Sequence, residues 1–223
     1  MNITPRPWTW THTRLAEGWL NQCLPDLPVV WQAGLTDDTA MLSDLVSLLS
    51  ADEHARLGRL KQHDDRQRFL IGRGLLRLFV GAQLGLPPDG VKFQYGPFGK
   101  PSLILHDGTT PFHFNVSHSG NLVVLAFHPA REVGVDVEEM REGQDWEAVV
   151  QRVFPAEEYR NWTRLKPDER TSGFFRGWTR HEALLKTLGL GFFDESGAEH
   201  DARLSCFDLE MPESYQGAVG CLR

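Results

Sequence analysis

Residues 133–139, Val-Gly-Val-Asp-Val-Glu-Glu, alternate between valine and other residues, which is typical of a β-strand with one buried face. Successive side chains of a strand point to opposite faces, so the three valines share one face. Asp136 and Glu138 then share the other face, and Glu139 falls on the valine side. Two carboxylates on one face are suited to a hard divalent cation. A half-buried strand with its acidic face in water fits the same pattern.

The composition favours a globular protein in a reducing compartment. The chain has 223 residues, enough for one large core or for two half-domains that share one. No segment approaches the roughly 18 apolar residues of a membrane span, and the N-terminus lacks the apolar core of a secretory signal. Three widely spaced cysteines without a Cys-x-x-Cys pair favour a cytoplasmic location. The net charge of −7 argues against general nucleic-acid binding, because a phosphate backbone requires a basic face.

The first half of the chain predicts a strand, two helices and further strands. A strand at 29–33 precedes Ser50 and Glu53, whose spacing is that of a capping box at the start of a helix. A longer helix is expected from about Asp65 to residue 84, ended by Gly85. Three strands with apolar alternation or apolar runs follow, at residues 91–95, 112–116 and 122–127.

The second half repeats this order. After the acidic strand, helices are expected near residues 145–153, from Pro155 and from 174 to 188, followed by strands at 202–210 and 215–222. We therefore predict an α/β (α+β) fold of two pseudo-symmetric halves, residues 1–131 and 132–223, in one structural unit. Each half is expected to be a small, mostly antiparallel sheet with packed helices. The similarity of the halves also has a chance explanation, because short helical segments often resemble each other. If the halves are a true repeat, a ligand in the cleft between them would contact both.

Residues 178–191 carry a second group of charged side chains. Glu182 and Lys186 are four residues apart and therefore share one face of a helix. An exposed ion pair is one interpretation. In the other, Glu182 faces the cation held by Asp136 and Glu138, and Lys186 lies beside it for a phosphate. Three carboxylates and a lysine suit a magnesium-bound diphosphate.

Residues 114–120, Phe-Asn-Val-Ser-His-Ser-Gly, combine hydroxyls, an imidazole and turn amides near a glycine, which favours phosphate binding. Ser117 and His118 cannot form a catalytic dyad, because adjacent side chains of a strand point apart. A capped turn without a ligand fits equally well. Lys100, in a Gly-Lys-Pro turn, is placed to reach the same anion, or else is a solvated loop lysine. Scattered histidines without a cysteine pair argue against structural zinc.

Taken together, these segments resemble the signatures of the Sfp-type 4′-phosphopantetheinyl transferase family. Residues 114–119 match F-N-[VIL]-S-H-S, residues 134–138 match G-[VI]-D-[VI]-E, and residues 178–191 match W-x-x-K-E-A/S-x-x-K-x-x-G-x-G, in the order and separation of the family. The resemblance extends from about residue 49 to residue 191. One position departs from it, because His181 stands where the family has a lysine. We expect the histidine to be tolerated there.

The resemblance implies the 4′-phosphopantetheinyl transferase fold and a reaction. Phosphopantetheine would pass from coenzyme A to a serine of an apo acyl or peptidyl carrier protein, with release of 3′,5′-ADP. Mg²⁺ would be bound by Asp136, Glu138 and Glu182. The catalytic side chains would be Glu182, as acceptor of the serine proton, with Lys186 and Asp136. Contacts to coenzyme A are implied for Arg56, Arg68, Lys100, Ser117, His118, Glu158 and Lys186.

The same resemblance divides these tasks between the halves. The N-terminal half is expected to bind the 3′-phosphate and adenine of coenzyme A, and the C-terminal half to hold the metal and the catalytic residues. Because one chain supplies both halves, we expect a monomer. Two other functions remain open on the residues alone: a magnesium-dependent hydrolase of a nucleotide diphosphate, and a non-catalytic coenzyme A-binding module.

Overall fold

The structure is a computed structural model that describes residues 1–8, 17–24, 26–103, 105, 108–141, 143–191 and 201–223. Its strands are β1 (Asn2–Ile3), β2 (Arg6–Pro7), β3 (Val29–Gly34), β4 (Phe93–Tyr95), β5 (Pro101–Leu103), β6 (His113–Ser119), β7 (Leu122–His128), β8 (Val133–Glu139), β9 (Leu204–Leu209) and β10 (Tyr215–Leu222). Its α-helices are α1 (Thr39–Ser47), α2 (Ala51–Arg59), α3 (His63–Leu84), α4 (Glu147–Val153), α5 (Ala156–Thr163) and α6 (Arg170–Leu188).

The strands form two four-stranded sheets and a short hairpin of β4 and β5. In the first sheet, β3 pairs antiparallel with β7 and β7 with β6, and β2 joins β3 in parallel. In the second, β8 pairs antiparallel with β10 and β10 with β9, and β1 joins β9 in parallel. The two sheets therefore share one arrangement. The strand that precedes the helices pairs with the last strand of its sheet, β3 with β7 in the first sheet and β8 with β10 in the second. The prediction of an α/β (α+β) fold with small, mostly antiparallel sheets is confirmed.

Local capping signals mark one end of each of the three helices α1, α2 and α3. The predicted capping box is present, and the backbone amide of Ser50 donates to Oε2 of Glu53 over 3.1 Å. Helix α3 ends where the sequence predicts, because Gly85 adopts the left-handed conformation with φ +65°. Helix α1 was not predicted. Its N-cap is Asp38, whose side chain accepts hydrogen bonds from the amides of Ala40 and Met41.

The valine face of β8 lies between the two sheets. Val135 and Val137 are fully buried and pack in one cluster with Val124 and Ala126 of β7. On their outer faces the sheets are covered by helices, α3 over β6 and β7, and α6 over β8, β9 and β10. The buried valine face predicted from the alternation is therefore confirmed. In the part of the chain that the structure describes, no helix is long and apolar enough to cross a membrane.

Candidate functional site

The acidic face of β8 lies against α6. A Cβ atom on Gly134 would overlap the carbonyl oxygen of Ala183, so the strand and the helix backbone come this close only because Gly134 has no side chain. Gly220, which pairs with Gly134 in the neighbouring strand, also faces α6. This close approach brings Glu182 and Lys186 to the acidic residues of β8.

Asp136 is the centre of the charged cluster. Only 2% of the residue is exposed. Its Oδ1 accepts from Nζ of Lys186 over 2.5 Å and from Oγ of Ser117 over 2.9 Å. Within the described residues, its buried Oδ2 has no hydrogen-bond partner. Burial alone would lower the pKa of Lys186, but the charge and hydrogen bond of Asp136, with Glu182 and Glu138 nearby, raise it. Lys186 is thus firmly cationic.

Glu138 and Glu182 flank this pair and are both partly buried. Burial raises the pKa of Glu138, and the charge of Asp136 raises it further, while a hydrogen bond from Oγ of Ser119 over 2.7 Å opposes the shift. Burial also raises the pKa of Glu182, opposed by the charge of Lys186 and reinforced by that of Asp136. The three carboxylates and the lysine that the sequence singled out therefore interact electrostatically as one cluster.

The donor set of this cluster suits a hard divalent cation. Carboxylate oxygens are the ligands that Mg²⁺ prefers, and a buried carboxylate oxygen without a partner is stabilised by a cation. Within the described ranges, however, no three His, Cys, Asp or Glu side chains are already arranged to hold a metal ion. The ammonium of Lys186 lies on Asp136 instead. The oxygen donors present therefore fit Mg²⁺ in their chemistry.

Strand β6 contributes Ser117 and His118 to opposite sides. The hydroxyl of Ser117 is buried and lies in the carboxylate cluster, where it donates to Asp136. The exposed residue His118 follows it on the other face of the strand. Partial withdrawal of its ring from water lowers the pKa of His118, and the charges of Arg68 and Lys186 lower it further. A neutral imidazole can still donate one N–H to an anion.

The two arginines implied by the family lie on α2 and α3. Arg68 donates from Nη1 to the carbonyl oxygen of Gly120 over 2.6 Å and from Nη2 to Asp65 over 2.6 Å. It therefore fastens α3 to the turn that follows His118. The exposed Arg56 has its guanidinium carbon 5.2 Å from the ring centroid of Phe69, which is a cation–π contact.

Lys100 is held by the second half of the chain. Its Nζ donates to Glu132 over 2.8 Å and to the carbonyl oxygen of Thr187 over 3.1 Å, and Nδ1 of His113 lies 3.0 Å from the same glutamate. Burial alone would raise the pKa of Glu132, but the hydrogen bonds and charges of His113 and Lys100 lower it to about 2. Beside this network is a cavity of about 380 Å³, lined by the β4–β5 hairpin, the start of β6 and the end of α6.

Glu158 lies in a different cavity, of about 200 Å³, between α5 and α6. Arg176, Arg180 and Trp162 line the same cavity. The pKa of Arg180 is raised first by its hydrogen bond with Asp208 and to a smaller extent by the charge of Glu158. Glu158, a residue of α5, thus lies between α5 and α6.

Sequence reasoning missed one polar side chain in the cluster. Ser119 is buried and donates to Glu138, in the same way that Ser117 donates to Asp136. The signal for it was present, because the two serines share a strand face as the two carboxylates do.

The comparisons with known proteins agree along most of the chain. Residues 35–130 match the family described as 4′-phosphopantetheinyl transferase, N-terminal, and residues 132–205 match the 4′-phosphopantetheinyl transferase superfamily. The chain is 39% identical over 168 residues to the 4′-phosphopantetheinyl transferase HetI of Nostoc sp., a match that covers 75% of this chain and 71% of HetI.

Two further relatives are also named 4′-phosphopantetheinyl transferases. A 4′-phosphopantetheinyl transferase of Bacillus subtilis is 31% identical over 147 residues, 66% of this chain and 63% of the relative. The 4′-phosphopantetheinyl transferase AcpT of Salmonella typhi is 34% identical over 146 residues, 65% of this chain and 71% of the relative.

Proposed function

The chain belongs to the 4′-phosphopantetheinyl transferase family, and we propose that it moves the phosphopantetheine arm of coenzyme A onto a serine of an apo acyl or peptidyl carrier protein. The observation that carries this proposal is the cluster of Asp136, Lys186 and Ser117, in which the three signature segments of β6, β8 and α6 meet. Transfer from a diphosphate to a serine needs cationic or metal-binding groups for the charge on the phosphates and an acceptor for the serine proton. The cluster contains both kinds of group.

In the proposed reaction, the serine oxygen forms a bond to the phosphorus next to pantetheine, and the bond from that phosphorus to the bridging oxygen breaks. The products are the modified carrier protein and 3′,5′-ADP. Glu182 accepts the serine proton, for which its burial and raised pKa suit it. Lys186 binds the phosphate oxygens from the position it holds beside Asp136.

We propose Mg²⁺ as the metal and Asp136, Glu138 and Glu182 as the residues that hold it. When bound there, the ion would neutralise charge that develops on the leaving phosphate. Support comes from the oxygen-only donor set and from the unpartnered Oδ2 of Asp136. Glu139, excluded from the site by strand alternation, accepts a hydrogen bond from the hydroxyl of Tyr215 over 3.1 Å.

For coenzyme A we propose a position across both halves, residues 1–131 and 132–223. The 3′-phosphate and adenine would lie on the first half, near Arg68, His118 and Lys100, with Arg56 and Ser117 alongside, and the diphosphate would lie on Lys186. The cavity that residues of both halves line beside Lys100 supports the part of this placement at Lys100. Glu158 would contact the pantetheine side, from the cavity between α5 and α6.

We further propose that the protein acts as a monomer in the cytoplasm. One chain supplies both sheets that flank the cluster. The described cysteines, Cys23, Cys206 and Cys221, are all free thiols, as a reducing compartment would keep them. Sedimentation at several concentrations tests the oligomeric state.

The test is mass spectrometry of an apo carrier protein incubated with the enzyme, coenzyme A and Mg²⁺. We expect the carrier serine to gain one phosphopantetheine arm, with 3′,5′-ADP as the second product. Glu138→Gln should abolish the modification, and the neighbouring Glu139→Gln should not. Release of 3′,5′-ADP without carrier modification would indicate a hydrolase instead, and binding of coenzyme A without either product would indicate a binding module.

A further inference from the structure

Strands β6 and β8 are the edges of two different sheets, and they lie side by side. Three side chains of β6 bridge them by accepting hydrogen bonds from alternate backbone amides of β8. Oδ1 of Asn115 accepts from the amide of Val135 over 2.9 Å. Oγ of Ser117 accepts from the amide of Val137 over 3.4 Å. Oγ of Ser119 accepts from the amide of Glu139 over 3.1 Å. Residue numbers rise together along both strands, so the strands run parallel.

The two serines also use their single hydroxyl proton. Oγ of Ser117 donates to Asp136 over 2.9 Å, and Oγ of Ser119 donates to Oε2 of Glu138 over 2.7 Å. A hydroxyl has one proton and two lone pairs, so each serine can hold a backbone amide and the preceding carboxylate at once. Asn115 has no such carboxylate beside it, because the corresponding residue of β8 is Gly134.

We propose that Ser119 is a positioning residue that fixes the carboxylate of Glu138 for binding a divalent cation. The buried hydroxyl of Ser119 donates a hydrogen bond to Oε2 of Glu138, and its oxygen also accepts a hydrogen bond from the backbone amide of Glu139 in β8. Groups that orient a metal-binding carboxylate typically change metal affinity 10–100-fold when they are removed. Ser119 itself touches neither substrate nor metal in this assignment.

This inference rests on the proposed metal site, so its test measures cation binding directly. Mn²⁺ serves as the probe, because the electron paramagnetic resonance signal of free Mn²⁺ decreases when the ion binds to the protein. The measurement needs no turnover. We expect the parent protein to bind Mn²⁺ and Asp136→Ala to lose that binding. Ser119→Ala should weaken Mn²⁺ affinity at least tenfold. Ser119→Cys, which keeps the side-chain shape and replaces a strong donor with a weak one, should also weaken the affinity.

Asn115→Ala is the matched control. It removes an equivalent bridge to β8 but no contact to a carboxylate, so it should lower the unfolding temperature about as much as Ser119→Ala while leaving Mn²⁺ affinity within threefold of the parent. Ser119→Thr, which restores a hydroxyl, should recover affinity.

Two results would overturn the inference, in distinguishable ways. If Ser119→Ala and Ser119→Cys bind Mn²⁺ as the parent does, or if Asn115→Ala loses as much affinity as Ser119→Ala, the serine has only a structural role and the metal site stands. If the parent itself binds no Mn²⁺, the proposed metal site fails and the inference fails with it.

Discussion

Gly134 of β8 lies directly against the backbone of Ala183 in α6, with no space for a side chain between them. Because Asp136 and Glu138 follow Gly134 on the same face of the strand, this contact sets how near their carboxylates come to Glu182. The closeness of strand and helix is therefore a condition for the charged cluster.

We expect Gly134→Ala to disrupt this packing. The added methyl group would overlap helix backbone, which cannot move aside as a flexible side chain can, so the free energy of unfolding should fall by about 3 kcal/mol. Gly58→Ala is the matched control, because Gly58 lies in α2 with open space around its Cα, and alanine there should stabilise by about 0.5–1 kcal/mol. Urea denaturation measures both. Equal stability of the two variants would contradict the prediction.

The buried ion pair of Arg77 and Glu53 gives a second prediction. Nε of Arg77 lies 2.6 Å from Oε2 of Glu53, each side chain is 2% exposed, and Nη1 donates to the carbonyl oxygens of Pro88 and Val91. Arg77→Met leaves the buried carboxylate of Glu53 without its ion-pair partner and removes two hydrogen bonds to backbone carbonyl oxygens, so we expect a loss of about 3–5 kcal/mol in the free energy of unfolding.

Replacing both partners, as Glu53→Met with Arg77→Met, should recover part of that loss, because no charge is then left uncompensated. The exposed Arg59→Met should change stability by less than about 0.5 kcal/mol. A double variant less stable than Arg77→Met alone would contradict this account.

The lowered pKa of Glu132 predicts that the free energy of unfolding depends on pH. Its pKa is about 2 in the folded protein against an ordinary value of 4.5, so its ionised form stabilises the fold above about pH 4.5, and this contribution disappears as the pH falls through 2. Its side chain is 42% exposed, so solvent screening limits the contribution to about 1 kcal/mol. Glu132→Gln should be less stable than the parent at pH 7, and the difference should vanish near pH 2.

Denaturant titrations across this pH range check the prediction, with the exposed Glu213→Gln as control. A difference between Glu132→Gln and the parent that stays constant from pH 7 to pH 2 would show that Lys100 and His113 do not act through the charge of Glu132.

Local features of the sequence predicted most of the fold. The alternation of β8, the capping box at Ser50 and the glycine after α3 depend only on neighbouring residues, and all three are present. Helix α1 had a comparable local signal in its N-cap, Asp38, with Met41 and Leu45 buried at helical spacing. It was missed because its hydrophobic pattern is short.

Contacts between distant segments were harder to predict. Alternation shows which face of a strand a side chain is on, but not which element covers that face. Alternation therefore grouped Asp136 with Glu138, and Ser117 with Ser119, but it did not show that these two groups face each other or that Glu132 binds Lys100. Those pairs depend on how the two sheets lie together, which follows from packing and not from spacing along the chain.

Lys186→Met gives the last prediction, which connects the ion pair to the proposed metal site. In the parent, the ammonium of Lys186 neutralises the buried Asp136 over 2.5 Å. Without it, in the presence of EDTA, Asp136 is a buried charge without its partner, and we expect a loss of about 2 kcal/mol, reduced from a fully buried pair because Lys186 is 30% exposed.

Mg²⁺ should then stabilise Lys186→Met more than the parent, because a cation bound only by the folded state raises the free energy of unfolding, and in the variant it no longer shares Asp136 with an ammonium group. Thermal unfolding in EDTA and in about 10 mM Mg²⁺, which exceeds the roughly 10⁻⁴–10⁻³ M dissociation constants of weak Ca²⁺ sites in proteins, measures the effect. Lys92→Met, at an exposed lysine, should behave as the parent does. If Mg²⁺ raises the unfolding temperature of Lys186→Met and of the parent equally, the ion and Lys186 do not act on the same carboxylate, and the placement of Mg²⁺ at Asp136 is wrong.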